Sequence, residues 1–144
     1  MRSRLLFLLL LASIVCQGQS VLIMDFVKVK NDRFEEALYY YRNNWKLYRD
    51  IALEKGYIKS YRLERVKPDS AKTFDLVLIT EYEDSTQFNK SEENFRSIIT
   101  AQRPGGPALL NSVQPADFRT NVFVQYTETL FSNSRHLKRK KTRP

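Results

Sequence analysis

The sequence predicts an α+β fold of the ferredoxin-like type. A βαββαβ chain makes a four-stranded antiparallel sheet with two helices on one face, and the other face dimerises. Three observations predict it. Segments of alternating apolar residues and segments with apolar steps of three and four follow in the order strand, helix, strand, strand, helix, strand. The strand–helix–strand unit occurs twice, over 21–66 and 73–130, as two pseudo-symmetric halves require. The first, third and fourth strands offer large side chains to both faces, where an antiparallel sheet in a monomer would turn a polar face to water. Right-handed crossovers put both helices on the same face. The second face is then a bare apolar patch, beyond the few hundred Å2 that monomers expose. A second copy is expected to cover it in a two-fold, face-to-face pair.

The first residues stand apart from this pattern. Arg2 and Arg4 precede an unbroken apolar run from Leu5 to Ala12, and small and polar residues follow at Cys16, Gln17, Gly18, Gln19 and Ser20. This is the layout of a secretory signal peptide, with cleavage expected after Gly18. The run is too short for a spanning helix of roughly 20 residues. The chain is therefore expected to be exported, periplasmic or secreted. A lipoprotein signal would need a small residue before Cys16, and Val15 does not fit, so lipid anchoring there is the disfavoured alternative. Residues 19–134 form a single domain, large enough to bury most of its apolar surface without staples. Cleavage removes the only cysteine, which excludes disulfides and thiolate metal sites from the mature chain.

The formal charge of +8 is confined to the ends. Residues 19–134 carry as many acidic as basic side chains. The excess belongs to Arg2 and Arg4 and to Arg135, Lys138, Arg139, Lys140, Lys141 and Arg143. Residues 135–144 are expected to be a disordered basic tail, with weak contact to an anionic membrane or envelope as its alternative role. Nucleic acid is not an expected partner of an exported protein.

Residues 21–30 read as a strand, with Val21, Ile23, Val27 and Val29 on one side and Leu22, Met24 and Phe26 on the other. Residues 32–54 read as one helix. Asp32 and Glu35 have capping-box spacing, and Phe34, Leu38, Tyr41, Trp45, Tyr48 and Ala52 form its apolar stripe. The opposite face, including Arg42, Asn43, Lys46, Arg49 and Asp50, reads as wet. Lys55 and Gly56 end it. Residues 57–67 alternate as a strand and turn at Pro68, Asp69 and Ser70, and 73–82 form the next strand. Asp84 or Ser85 caps the second helix, whose stripe holds Phe88, Phe95, Ile98, Ile99 and Gln102. The run from Arg103 to Pro107 stops it. A connector runs to Asp117, with one helical turn expected over Ala108 to Val113, and its length suits a lid or partner-binding arm. The last strand is 120–130, with Val122, Val124, Tyr126 and Leu130 on one side and Phe123 and Phe131 on the other.

In element order, element length and two-sided sheet patterning, residues 21–131 resemble the dimeric α+β barrel superfamily. Its members include antibiotic-biosynthesis-type monooxygenases, NIPSNAP-like proteins and haem-degrading monooxygenases. The resemblance implies a cavity between sheet and helices, lined by aromatics and a few polar groups. It also implies that catalysis, where present, relies on the substrate's own reactivity with oxygen rather than on a metal.

Candidate chemistry is sparse. Tyr41, Trp45 and Tyr48 share a helical face and read as core packing or as the wall of a pocket for a planar ligand. Asp25 lies mid-strand among apolar neighbours, where a carboxylate is costly unless paired. Arg62 on a nearby strand is its expected partner, with Arg65 on the opposite face as second choice. The ligand-pocket candidates are thus Asp25, Tyr41, Trp45, Tyr48 and Arg62. The single histidine, His136, lies in the tail, which leaves the fold without a Ser–His–Asp arrangement or the histidine ligands of zinc and copper sites. It also lacks the histidine typical of the haem-degrading relatives. Gly105-Gly106, flanked by prolines, reads as a turn rather than a phosphate cradle. No metal or cofactor is expected. The chain reads as an exported homodimer of unassigned role that binds a small hydrophobic or aromatic ligand. A cofactor-independent monooxygenase-type enzyme and an envelope-associated interaction module are the alternatives.

Overall fold

A computed structural model of the chain describes residues 19–67 and 73–130. The segment expected to be a signal peptide, with Cys16, the turn expected at Pro68, Asp69 and Ser70, Phe131 and the basic residues 135–144 lie outside the described residues. Strands β1 (Val21–Val29), β2 (Ser60–Arg65), β3 (Leu76–Tyr82) and β4 (Arg119–Glu128) form one sheet in the order β2-β3-β1-β4, antiparallel throughout. With its helical crossovers this is the ferredoxin-like arrangement.

The register sorts the sheet into two faces. One face carries the rows Leu63–Leu78–Asp25–Val124 and Tyr61–Thr80–Ile23–Tyr126. The helices cover this face. Val27, Leu76 and Leu78 pack with Ala37, Tyr41 and Trp45, while Tyr82 packs with Tyr48, Ala52, Ile58 and Ile98. The other face carries the rows Arg62–Ile79–Met24–Gln125 and Glu64–Val77–Phe26–Phe123. Its centre is apolar and its margin polar. Phe26 stacks on Phe123 at 4.2 Å between ring centroids and meets Phe74 edge-on at 4.7 Å.

The first helical stretch is expected to be regular and is not. It runs as α1 (Phe34–Tyr40), a π-helical segment (Tyr41–Lys46) and α2 (Leu47–Glu54). The expected capping box at Asp32 does not form. Asn31 and Asp32 take left-handed backbone conformations, and Arg33 becomes the cap without a side-chain bond. The far end behaves as read. Gly56 has φ +69°, and Tyr57 N–H and Gly56 N–H donate back to the Ala52 and Leu53 carbonyls, a Schellman closure.

Asp84 caps α3 (Ser85–Asn89) by accepting from Gln87 N–H at 2.8 Å, and α4 (Ser91–Gln102) follows after a break at Lys90. The helical turn in the connector is displaced from 108–113 to α5 (Pro115–Phe118), because Asn111 and Ser112 adopt left-handed conformations. The connector is no loose arm. Phe118 is 1% exposed in the core, and Asn44 holds Ala108 from both sides, donating to its carbonyl and accepting from its N–H at 2.8 Å.

In β4 the expected grouping of Val122 with Val124 and Tyr126 is broken by a register shift opposite Phe26 and Val27. The bulge leaves Val122 extra, Phe123 on the outer face, and Val124 and Tyr126 on the helical side, where Tyr126 is still 64% exposed.

Candidate functional site

The π segment builds the site. Its wider turn loosens the usual backbone ladder. The side-chain amides of Asn43 and Asn44 donate to the carbonyls of Tyr39 and Tyr40 one turn back, at 2.8 and 2.9 Å. Tyr41, Asn44 and Trp45 are all turned inward and buried. They face the sheet where Asp25 sits in its row on β1.

Between them lies a cavity of about 240 Å3. Asp25 and Leu78 form its floor, and Tyr40, Tyr41, Trp45, Tyr48 and Arg49 its helical wall. Arg119 and Asn121 of β4 close one side, and Ile99 lies at the rim. A second hollow of about 280 Å3 lies on the other flank of Tyr41 and Trp45, against Tyr61 and Leu63. A larger groove of about 620 Å3 near Lys55, Asp84 and Lys90 is a shallow polar surface feature lined by no buried side chain.

Three charged groups line the 240 Å3 cavity. Burial raises the pKa of Asp25, against the attraction of the Arg49 and Arg119 guanidiniums. Arg49 is held between two rings, 4.6 Å from the Trp45 centroid and 4.4 Å from that of Phe95. Burial lowers its pKa to about 10, so it remains a cation at neutral pH. Arg119 lies over Tyr40 at 4.9 Å and over Tyr41 at 5.6 Å, and it donates to the Tyr40 hydroxyl at 3.4 Å. Burial pushes Tyr41 up to about 12, with Arg119 beside it pulling weakly the other way. The Tyr41 hydroxyl and Trp45 Nε1 are buried without a hydrogen-bond partner of normal geometry, as is Arg119 Nε.

Four of the five residues singled out from sequence therefore meet: Asp25, Tyr41, Trp45 and Tyr48. Arg62 does not. It projects from the opposite face of the sheet, β3 separates its strand from β1, and it pairs with Glu64 at 3.1 Å. Arg49 and Arg119 take the place expected of it. The charge of Arg49 points to the wet face, yet it lies four residues after Trp45 and lays its guanidinium on that ring. No pattern marked Arg119, since its place depends on where β4 begins. Among the described residues no group of three or more His, Cys, Asp or Glu could hold a metal ion.

No family model matches the chain, and no curated protein matches it. Solved structures do. HapK from Hahella chejuensis is 11% identical with a TM-score of 0.50, over 80% of this chain and 97% of that one. A dimeric ferredoxin-like protein of unknown function from Thermobifida fusca is 12% identical with a TM-score of 0.47, over 78% and 93%. A dimeric protein of unknown function and ferredoxin-like fold from Bacteroides fragilis is 14% identical with a TM-score of 0.43, over 78% and 98%. At such identity the match to HapK is a likeness of fold alone.

Proposed function

We propose that this chain is an exported, homodimeric α+β barrel protein that binds a small aromatic ligand between its sheet and helices. The observation that carries the reading is the cavity. Tyr40, Tyr41, Trp45 and Tyr48 wall one space whose floor is a half-buried carboxylate facing two guanidiniums. A core built for packing alone has no reason to gather those charges beneath aromatic faces. Homodimer formation is supported by the outer face, where Leu22, Met24, Phe26, Val77, Ile79 and Phe123 form an apolar centre inside a polar margin. Export is supported by Arg2, Arg4 and the apolar run that follows them.

Trp45 is the only tryptophan and borders both the cavity and the neighbouring 280 Å3 hollow, so its emission reports on a ligand beside it. Titrating the mature protein with one- and two-ring aromatic compounds is expected to quench or shift that emission saturably. Compounds of the same size without a ring should leave it unchanged. A flat response to every aromatic compound contradicts the reading. Catalysis on the same ligand is a second reading, favoured by Asp25 as an acid–base group with a raised pKa inside the cavity. The same titration separates the two: a bound ligand gives a steady spectrum, a substrate one that drifts with time.

A further inference from the structure

We propose that the ligand is a planar aromatic oxyanion, bound with its ring against Tyr41 and Trp45 and its acidic oxygens on Arg119. The proposal rests on the cavity being a ligand site and adds the sign of the ligand's charge.

The first argument is the charge count. Asp25, Arg49 and Arg119 are the charged side chains lining the cavity, two cations and one anion. Arg49 is already engaged. Two rings sandwich its guanidinium, and its Nε reaches the Thr80 hydroxyl at 3.5 Å. Arg119 lies over the Tyr40 and Tyr41 rings and also interacts with the Tyr41 hydroxyl. Its hydrogen bonds to the Tyr40 hydroxyl and to Asn121 Oδ1 are long, at 3.4 and 3.3 Å, and neither partner carries a full negative charge. One positive charge is left over in a partly dry space, and a single negative charge on a ligand balances it.

The second argument is the unpartnered atoms. Among the described residues four buried side-chain nitrogen or oxygen atoms lack a hydrogen bond. Three of them, on Tyr41, Trp45 and Arg119, belong to residues of this one cavity. Tyr41 is only 2% exposed and Trp45 8%. Indole and guanidinium N–H groups donate and never accept. Tyr41 and Trp45 also border the 280 Å3 hollow, whereas Arg119 lines this cavity and not that one. Natural folds leave few buried donors unpaired, and the Arg119 Nε–H beside Tyr41 and Trp45 calls for an acceptor. A carboxylate or phenolate oxygen offers several acceptor sites at once. The volume of about 240 Å3 lies just below the roughly 300 Å3 at which drug-sized pockets begin, which suits one or two rings.

The test is calorimetric titration of the mature protein at neutral pH with three compounds of one shape: 2-naphthoate, 2-naphthylmethanol and 2-naphthylmethylamine. The naphthoate is expected to bind about tenfold tighter than the alcohol, and the cationic amine weakest. Arg119→Gln should cut the preference for the acid to about twofold, and Arg119→Lys, which keeps the charge but loses the planar stacked fork, should retain an intermediate preference. Tyr41→Phe should weaken naphthoate binding with little change in Tm, because the hydroxyl it removes has only a weak contact with Arg119 and no hydrogen bond of normal geometry. If Arg119→Gln fails to fold, Arg119→Lys and Tyr41→Phe carry the test. Equal binding of all three compounds, or tightest binding of the amine, overturns the charge assignment while leaving the aromatic cavity standing. No heat and no change in Trp45 emission with any of them removes both.

Discussion

Asp25 shows how a single residue links stability to the site. Its carboxyl is half-buried, and burial outweighs the pull of Arg49 and Arg119, so its pKa is raised from 3.8. The folded chain therefore keeps this proton to higher pH than the unfolded chain does. As pH rises from the ordinary carboxyl range through the raised value, ionising Asp25 costs the fold stability, and the loss persists above it. Asp25→Asn has no proton to lose there. Thermal melts should show the variant gaining on the wild type as pH rises through that window, with a constant difference above it. Parallel curves would mean that Asp25 has the same pKa folded and unfolded. Asp25 was legible in the sequence because a carboxylate stands out among Leu22, Met24, Phe26 and Val27. Its partners were not. The choice of Arg62 needed the sheet order, which alone shows β3 intervening and the side chain on the far face.

At the scale of elements the informative feature is the π segment. Apolar steps of three and four predict a helix over 32–54, but a local widening leaves that stripe intact and so leaves no periodic trace. Its signature is chemical instead: the adjacent amides Asn43 and Asn44, which serve the carbonyls of Tyr39 and Tyr40. Asn44 also clamps the connector. Its amide makes both hydrogen bonds to Ala108 and is 1% exposed. Asn44→Ala leaves those backbone groups unpaired and should cost about 2–4 kcal/mol. Denaturant unfolding measures the loss, and hydrogen exchange should show the Ala108 amide opening faster than those of the central strands. Unchanged exchange at Ala108 would show that the connector is held by Phe118 alone. The sequence did mark where the connector starts, through Pro104 and Pro107 around two glycines. Its packing was hidden, because Asn44 and Ala108 lie 64 residues apart.

For the whole molecule, the fold was legible because the sheet has a strong two-sided pattern. Val21, Ile23 and Val27 go to the helices, while Leu22, Met24 and Phe26 go to the outer face, as alternation requires. The bulge in β4 escaped because one extra residue does not disturb a run that is apolar on both sides. That bulge sets Phe123 against Phe26 on the outer face. Phe123 remains 40% exposed on the edge strand of the surface we assign to a second copy. Phe123→Asp places a charge in that contact without touching the helical core. Native mass spectrometry of the chain from residue 19 onward and of this variant tests the account most directly. The account predicts a two-chain mass for the wild type and a folded single chain for Phe123→Asp. A wild type that stays a folded single copy at every concentration, with Phe123 unshielded, would contradict it.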